Sequence, residues 1–280
     1  MNNRKQPEWW RYSESSWQQL IELLTELQPD DFGQCANQAN WQLLRQGDTN
    51  ANFKLSLAHQ DYFVQVADQA KVNQLPSGEY RSQTRLVSEN PALSKWLPKC
   101  LLDTEVIRVS IWLYANPTVH QHFFNPELSV ELCRLLVELH DSSLSLPTIR
   151  MQEHLNSYHD IARNNQPQKA DYCLELYEQA LEFSPDFNAT HSCHNDISPG
   201  NLLVGHQLFL VDWEYAAISD PVFELAGISH NFQLTHEQEQ LLLEEYQTQS
   251  GRVFNQQKFL AMKGLYRIIS ELWYIGNEQS

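Results

Sequence analysis

The sequence predicts an α+β protein of two lobes, a small antiparallel β lobe over residues 1–114 and a larger, mostly helical lobe over 115–280. Three observations predict it. Short β-type runs separated by turn residues occupy the first part of the chain, and apolar residues at helical spacing dominate the second. One β-rich island, from Thr190 to Val211, interrupts that helical part. With 280 residues, 42% of them hydrophobic, and 8 Trp, 11 Tyr and 12 Phe to bury, the chain builds a large core and is not disordered.

Glu14 to Leu27 carries a broad apolar stripe (Trp17, Leu20, Ile21, Leu24, Leu27) that Pro29 follows, which predicts a helix. Trp41–Arg45, Phe53–Leu57 and Tyr62–Val66 read as strands of a meander, Glu79–Ser88 as a helix and Val106–Leu113 as a further strand. Ala115–Thr118 is the expected linker. Beyond it, helices are expected from Pro126 through Leu139, and at Gln152–Ala162, Asp171–Phe183, Pro221–Asn231, Glu237–Thr248 and Gln256–Ile275. The island supplies strands at Thr190–His194, Leu202–Val204 and Gln207–Val211.

Nineteen Lys+Arg against 35 Asp+Glu give a formal charge of -16, which repels polyanions and argues against nucleic-acid binding. No apolar run is long enough to span a membrane, and the polar start from Met1 to Pro7 has no export signal. Five cysteines, widely spaced and without C-x-x-C, read as reduced thiols. A cytoplasmic protein is expected.

The chemistry concentrates in the island, at His194-Asn-Asp196-Ile-Ser-Pro-Gly-Asn201 and Leu210-Val-Asp212-Trp-Glu214. A loop, a hairpin and a second loop bring Asp196, Asn201 and Asp212 to one end of a ribbon, an oxygen-rich set suited to a hard cation such as Mg²⁺. His191-x-x-His194 is a poor zinc site, because residues 191 and 194 face opposite ways on a strand. A serine hydrolase is excluded by the absence of a G-x-S-x-G elbow.

These segments resemble the protein-kinase-like small-molecule phosphotransferases, the branch that includes choline, ethanolamine and thiamine kinases and aminoglycoside phosphotransferases. His194–Asn201 is similar to the catalytic loop of that branch, Val211–Ala216 to its metal-binding segment and Asp220–Ala226 to the helix after it. Leu139-His140 matches a pattern ahead of the loop. Gly47-Asp-Thr-Asn-Ala-Asn-Phe53 resembles the turn that covers phosphates, although taken alone, without G-x-G-x-x-G, it reads as a plain hairpin turn. The resemblance implies a bilobal protein-kinase-like fold with a nucleotide-covering first lobe and an acceptor site in the second. It implies ATP and Mg²⁺ as cofactors and a small alcohol, choline-, ethanolamine- or thiamine-like, as acceptor. Asp196 is then the catalytic base, and Asn201 and Asp212 are the metal ligands. Gly47, Thr49, Asn50 and Gln65 then face the nucleotide, while Trp213, Tyr215 and Trp273 face the acceptor, and Glu214 is either an acceptor contact or a neighbour of the metal. Aromatic faces with acidic neighbours suit a cationic alcohol, and Tyr266 and Trp273, seven apart on a helix, also fit plain core packing.

A protein kinase is disfavoured, because Trp-Glu follows Asp212 and Asp220 arrives too soon for an activation loop. The chain also departs from the pattern of the resembled family. Gln65 stands where a phosphate-anchoring cation is expected and Gln83 where its acidic partner is, with Lys54 and Lys71 as nearby alternative cations. A catalytically weak nucleotide- or ligand-binding protein is therefore one alternative reading, and an aminoglycoside phosphotransferase is another.

Overall fold

In a computed structural model, residues 5–46, 50–67, 80–119, 125–181, 187–253 and 255–277 are described. The chain divides into two compact units, Met1–Tyr114 and Ala115–Ser280.

The first unit opens with α1 (Glu14–Leu27), capped by the Ser13 side chain on the Ser16 N–H, and a short turn of helix, α2 (Phe32–Cys35). Its sheet comprises β1 (Trp41–Gln46), β2 (Asn50–Ser56), β3 (Asp61–Ala67), β4 (Cys100–Asp103) and β5 (Ile107–Ile111), in the order β1-β2-β3-β5-β4. Helix α3 (Tyr80–Glu89) lies between β3 and β4 in the chain. Strands alternate faces, and one face is apolar: Phe53, Leu55, Val64, Val66, Ile107 and Val109 join Trp10, Trp17, Leu20, Ile21 and Leu24 in one buried cluster. Strand β4 was not expected from the sequence; it is a short edge strand two residues past Pro98, with a register shift between Cys100 and Leu102.

The second unit is helical around a small ribbon. It contains β6 (Asn116–Pro117), α4 (Pro126–His140), α5 (Met151–Asn165), α6 (Pro167–Leu181), β7 (His191–Cys193), β8 (Leu202–Val204), β9 (Leu208–Leu210) and β10 (Ala217–Ser219). Helices α7 (Pro221–Asn231), α8 (His236–Ser250) and α9 (Gln256–Asn277) complete it, with α9 packing on α5, α6 and α7. Thr235 and Gln238 form a capping box on α8, and Gly251, at φ 67°, ends that helix in the left-handed conformation.

The segment expected as a linker, Ala115–Thr118, begins the second unit and is paired with its ribbon. Asn116 and Pro117 pair with Val204 and Leu203, and the buried Thr118 hydroxyl donates to the Leu202 carbonyl at 2.6 Å. Strand β10, also unexpected, is three residues long and pairs with β7, Ala217 opposite Cys193. Both are too short to show a period of their own. Among the described residues no helix is long and apolar enough to cross a membrane.

Candidate active site

The hairpin register builds the site. Leu202 pairs with Leu210 across β8 and β9, and one step further the Val211 N–H donates to the Asn201 carbonyl at 2.9 Å. Asn201 and Asp212 are thereby delivered to the same end of the ribbon. The loop before them folds back on itself, because the Asn201 and Leu202 N–H groups both donate to the Ser198 carbonyl at 3.0 Å. Asn201 then reaches Asp196: its Nδ2 donates to the Asp196 carbonyl at 2.9 Å and to Asp196 Oδ2 at 2.7 Å. This fixes the amide orientation and leaves the Asn201 Oδ1 and the Asp196 Oδ1 outside that contact.

Two residues of this ribbon sit in the left-handed region without being glycine, Asn195 at φ 64° and Asp212 at φ 63°. Such conformations are costly and persist where the surroundings hold them. Asn195 is held by its Nδ2, which donates to the Tyr215 carbonyl at 3.0 Å, and by its N–H, which donates to Glu224 Oε1 at 2.8 Å.

Glu224 is the largest contributor that the sequence reading missed. It is fully buried on α7; Oε1 also accepts from the His194 N–H at 2.5 Å, and Oε2 meets His140 Nε2 at 2.6 Å. His140 Nδ1 continues to the Tyr246 hydroxyl at 2.6 Å. Burial pushes the Glu224 carboxyl up, but the His140 hydrogen bond and the backbone donors outweigh it and hold it below the usual range. A lone acid in the otherwise apolar run Val222-Phe-Glu-Leu-Ala226 is the sequence signal that marks it. Among the described residues His140, Cys193 and Glu224 are the one cluster of such side chains spaced for a metal, but the donors of His140 and Glu224 are consumed by this network.

His194 is completely buried and braces the loop. Its Nδ1 accepts from the Asp196 N–H at 3.2 Å, so Nε2 carries the proton and donates to the Val211 carbonyl at 3.0 Å. Trp213 packs edge-on against it at 4.7 Å, donates its Nε1–H to the Leu210 carbonyl at 3.0 Å and is 1% exposed. The place expected for Trp213 was beside an acceptor; the structure places it in the core beneath the loop. Asp220 caps α7 through the Val222 N–H at 2.9 Å and pairs with Lys258 at 2.7 Å.

Burial raises the Asp196 carboxyl, and the neighbouring Asp212 adds to the rise against the Asn201 hydrogen bond. Asp212 is itself raised by the protein packed around it, although part of its surface reaches solvent. Two carboxylates, both raised by burial and one of them also by the other, with an amide oxygen beside them form an oxygen-rich acidic set that fits a hard divalent cation.

Tyr215 and Glu214 form the turn after Asp212. Burial pushes the Tyr215 hydroxyl up, with Tyr158, Glu214 and Asp196 adding to the rise, while the Trp273 indole N–H donates to it. Trp273 is 38% exposed and packs edge-on with Tyr274 at 5.2 Å. Tyr266 is buried between Phe223 and His230, and Asn231 Nδ2 donates to its hydroxyl at 2.9 Å and to the Ile197 carbonyl at 3.1 Å. Tyr266 is thus packing, as its spacing also allowed, and Trp273 is not buried core.

In the first unit Gln65 donates from Nε2 to Asn52 Oδ1 at 3.2 Å. Lys54 is paired with Asp61 at 2.6 Å and stacks over Trp112 at 4.8 Å. Gly47, Thr49 and Lys71 lie outside the described residues, as do the side chains of Asn50 and Gln83.

A family model described as the phosphotransferase enzyme family matches residues 40–262. The chain belongs to that family. Protein LicA of Haemophilus influenzae is 24% identical over 241 residues, covering 82% of this chain and 70% of LicA. The choline kinase LicA of Streptococcus pneumoniae superposes with a TM-score of 0.67 at 19% identity, over 92% of this chain and 89% of that one. A spectinomycin phosphotransferase in complex with ADP and spectinomycin has a TM-score of 0.61 at 16% identity, over 92% and 86%. The kinase-like fold and the small-molecule phosphotransferase family are therefore shown for this member.

Proposed function

We propose that this phosphotransferase uses ATP and Mg²⁺ to phosphorylate the hydroxyl of a small cationic alcohol of the choline type. The observation that carries the reading is the Asp196–Asn201 hydrogen bond at 2.7 Å, on a ribbon that also carries Asp212 and leads directly into the Glu214–Tyr215 turn. The choline kinase activity named for a structural relative supports the acceptor class.

Asn201 Oδ1 and the Asp212 carboxylate would hold the metal, which would supply positive charge against the phosphate oxygens. Asp196, held by Asn201 through Oδ2, presents Oδ1 to the acceptor hydroxyl and takes its proton. The alcohol oxygen forms a new bond to the γ-phosphorus as the bond to the ADP oxygen breaks. The raised pKa of Asp196 makes its carboxylate a stronger base than an ordinary aspartate, and the rest of the loop contributes position. Tyr215 and Trp273 offer aromatic faces and Glu214 a negative charge to the onium group of the acceptor.

A second reading, a nucleotide-binding protein with little turnover, draws on the neutral Gln65–Asn52 pair. ADP release from MgATP over a panel of choline, ethanolamine, thiamine, aminoglycosides and simple sugars separates the two. Acceptor-dependent release with choline, lost in Asp196→Asn, is the expected result. ATP binding with silence across the panel would favour the second reading.

A further inference from the structure

The sheet of the first unit carries a polar row that no single stretch of sequence reveals. Antiparallel register places Asn52 opposite Gln65, Gln65 opposite Arg108, and Arg108 opposite Asp103, across β2, β3, β5 and β4. Directly opposed residues project from the same face of a sheet. These four therefore share the face turned away from the apolar cluster of Phe53, Val64, Val66, Ile107 and Val109. Arg108 is 9% exposed, and its guanidinium lies 3.7 Å from the Asp103 carboxylate.

We infer that Arg108 is the phosphate-anchoring cation of the nucleotide site, standing one strand away from Gln65. The inference rests on the ATP reading given above. Gln65 is neutral and its amide is engaged by Asn52. Lys54, on the same face of β2 as Asn52, is already neutralised by Asp61 at 2.6 Å and covered by Trp112. Arg108 differs from Lys54 in two ways. It is the immediate neighbour of Gln65, and its acidic partner stands 3.7 Å away rather than 2.6 Å, so the five N–H groups of its fork, which also meets the Cys100 thiol, are not all taken up by the carboxylate. A planar guanidinium engages phosphate through paired hydrogen bonds, and a low-dielectric surrounding strengthens them. Asp103 orients the fork from the neighbouring strand, so a cation–acid pair exists on this face although positions 65 and 83 carry glutamine.

The test is equilibrium binding of MgATP and of adenosine, by calorimetry, to the full chain and to Arg108→Gln, Arg108→Lys and the double variant Arg108→Gln with Gln65→Lys. Arg108→Gln is expected to weaken ATP binding about tenfold or more while adenosine binding holds, since adenosine lacks the phosphates. Arg108→Lys keeps the charge without the fork and is expected to fall between, and the double variant is expected to recover part of the loss. ATP binding that is unchanged in Arg108→Gln would overturn this inference alone. A wild-type chain that binds no ATP would overturn the nucleotide reading and this inference with it. If Arg108→Gln does not fold, Arg108→Lys decides: ATP affinity equal to wild type overturns the anchoring role, and a loss confined to ATP supports it.

Discussion

The ribbon of the second unit and the sheet face of the first carry their polar residues in opposite ways. On the ribbon, Asp196, Asn201 and Asp212 come from one hairpin and its two flanking loops, and Asp212 itself and Asn195 beside Asp196 are strained. On the sheet, Asn52, Gln65, Arg108 and Asp103 come from four strands and depend only on register, with no backbone strain at any of them. The proton transfer proposed for the ribbon requires over-determined backbone, which the Glu224 network supplies. The phosphate anchoring inferred for the sheet face needs charge at the right place, and sheet register suffices. The ribbon should therefore be brittle towards substitution and the sheet face tolerant.

The largest expected effect is on turnover. Asp196→Asn removes the proposed proton acceptor, and a fall of about 10²–10⁴-fold in kcat is expected. The same variant sharpens the contrast through its stability. Because the folded pKa of Asp196 is raised, the ionised carboxylate opposes folding at every pH above the ordinary aspartate range. Removing that charge should raise the melting temperature at neutral pH while activity disappears.

Glu224→Ala breaks the network beneath the loop and leaves His140 and the His194 and Asn195 N–H groups without their acceptor. A loss of about 3–5 kcal/mol in denaturant unfolding is expected. Glu224 has the opposite sign to Asp196. Its folded pKa is depressed, so its stabilisation is complete above the ordinary glutamate range and disappears as pH falls through its lower folded value. Acid unfolding should begin later in wild type than in Glu224→Gln, a shift that near-UV circular dichroism can follow.

Gly227→Ala is next. A Cβ there would stand 2.5 Å from the Tyr266 ring, which Asn231 holds in place. About 1–3 kcal/mol of destabilisation is expected, measured by thermal unfolding. Trp213→Phe, losing the hydrogen bond to Leu210 and part of a fully buried ring, should cost about 1–3 kcal/mol and leave the affinity for acceptor unchanged. A large rise in KM instead would place Trp213 beside the substrate.

What was legible in the sequence follows the same division. The helix Pro221–Asn231 and the strand Leu202–Val204 show their patterns locally, and the sequence reading and the structure agree on both. The ribbon residues are close enough in the chain for one motif to reveal them. Glu224 and His140 are far apart in sequence, and only the fold brings them together under the loop. Strands β6 and β10 are two and three residues long, so neither shows a period. Arg108 is unremarkable within Val106–Leu113 and acquires meaning only when register sets it opposite Gln65. Trp213 next to Asp212 invited a substrate role, but its ring turns inward onto His194.

The most direct test of the account is transfer of labelled γ-phosphate from MgATP to choline by the pure chain, compared with Asp196→Asn. A labelled phosphate ester of choline formed by wild type and absent with the variant is the predicted result. ATP that binds but passes no label to choline, or an ester formed equally by the variant, would contradict it.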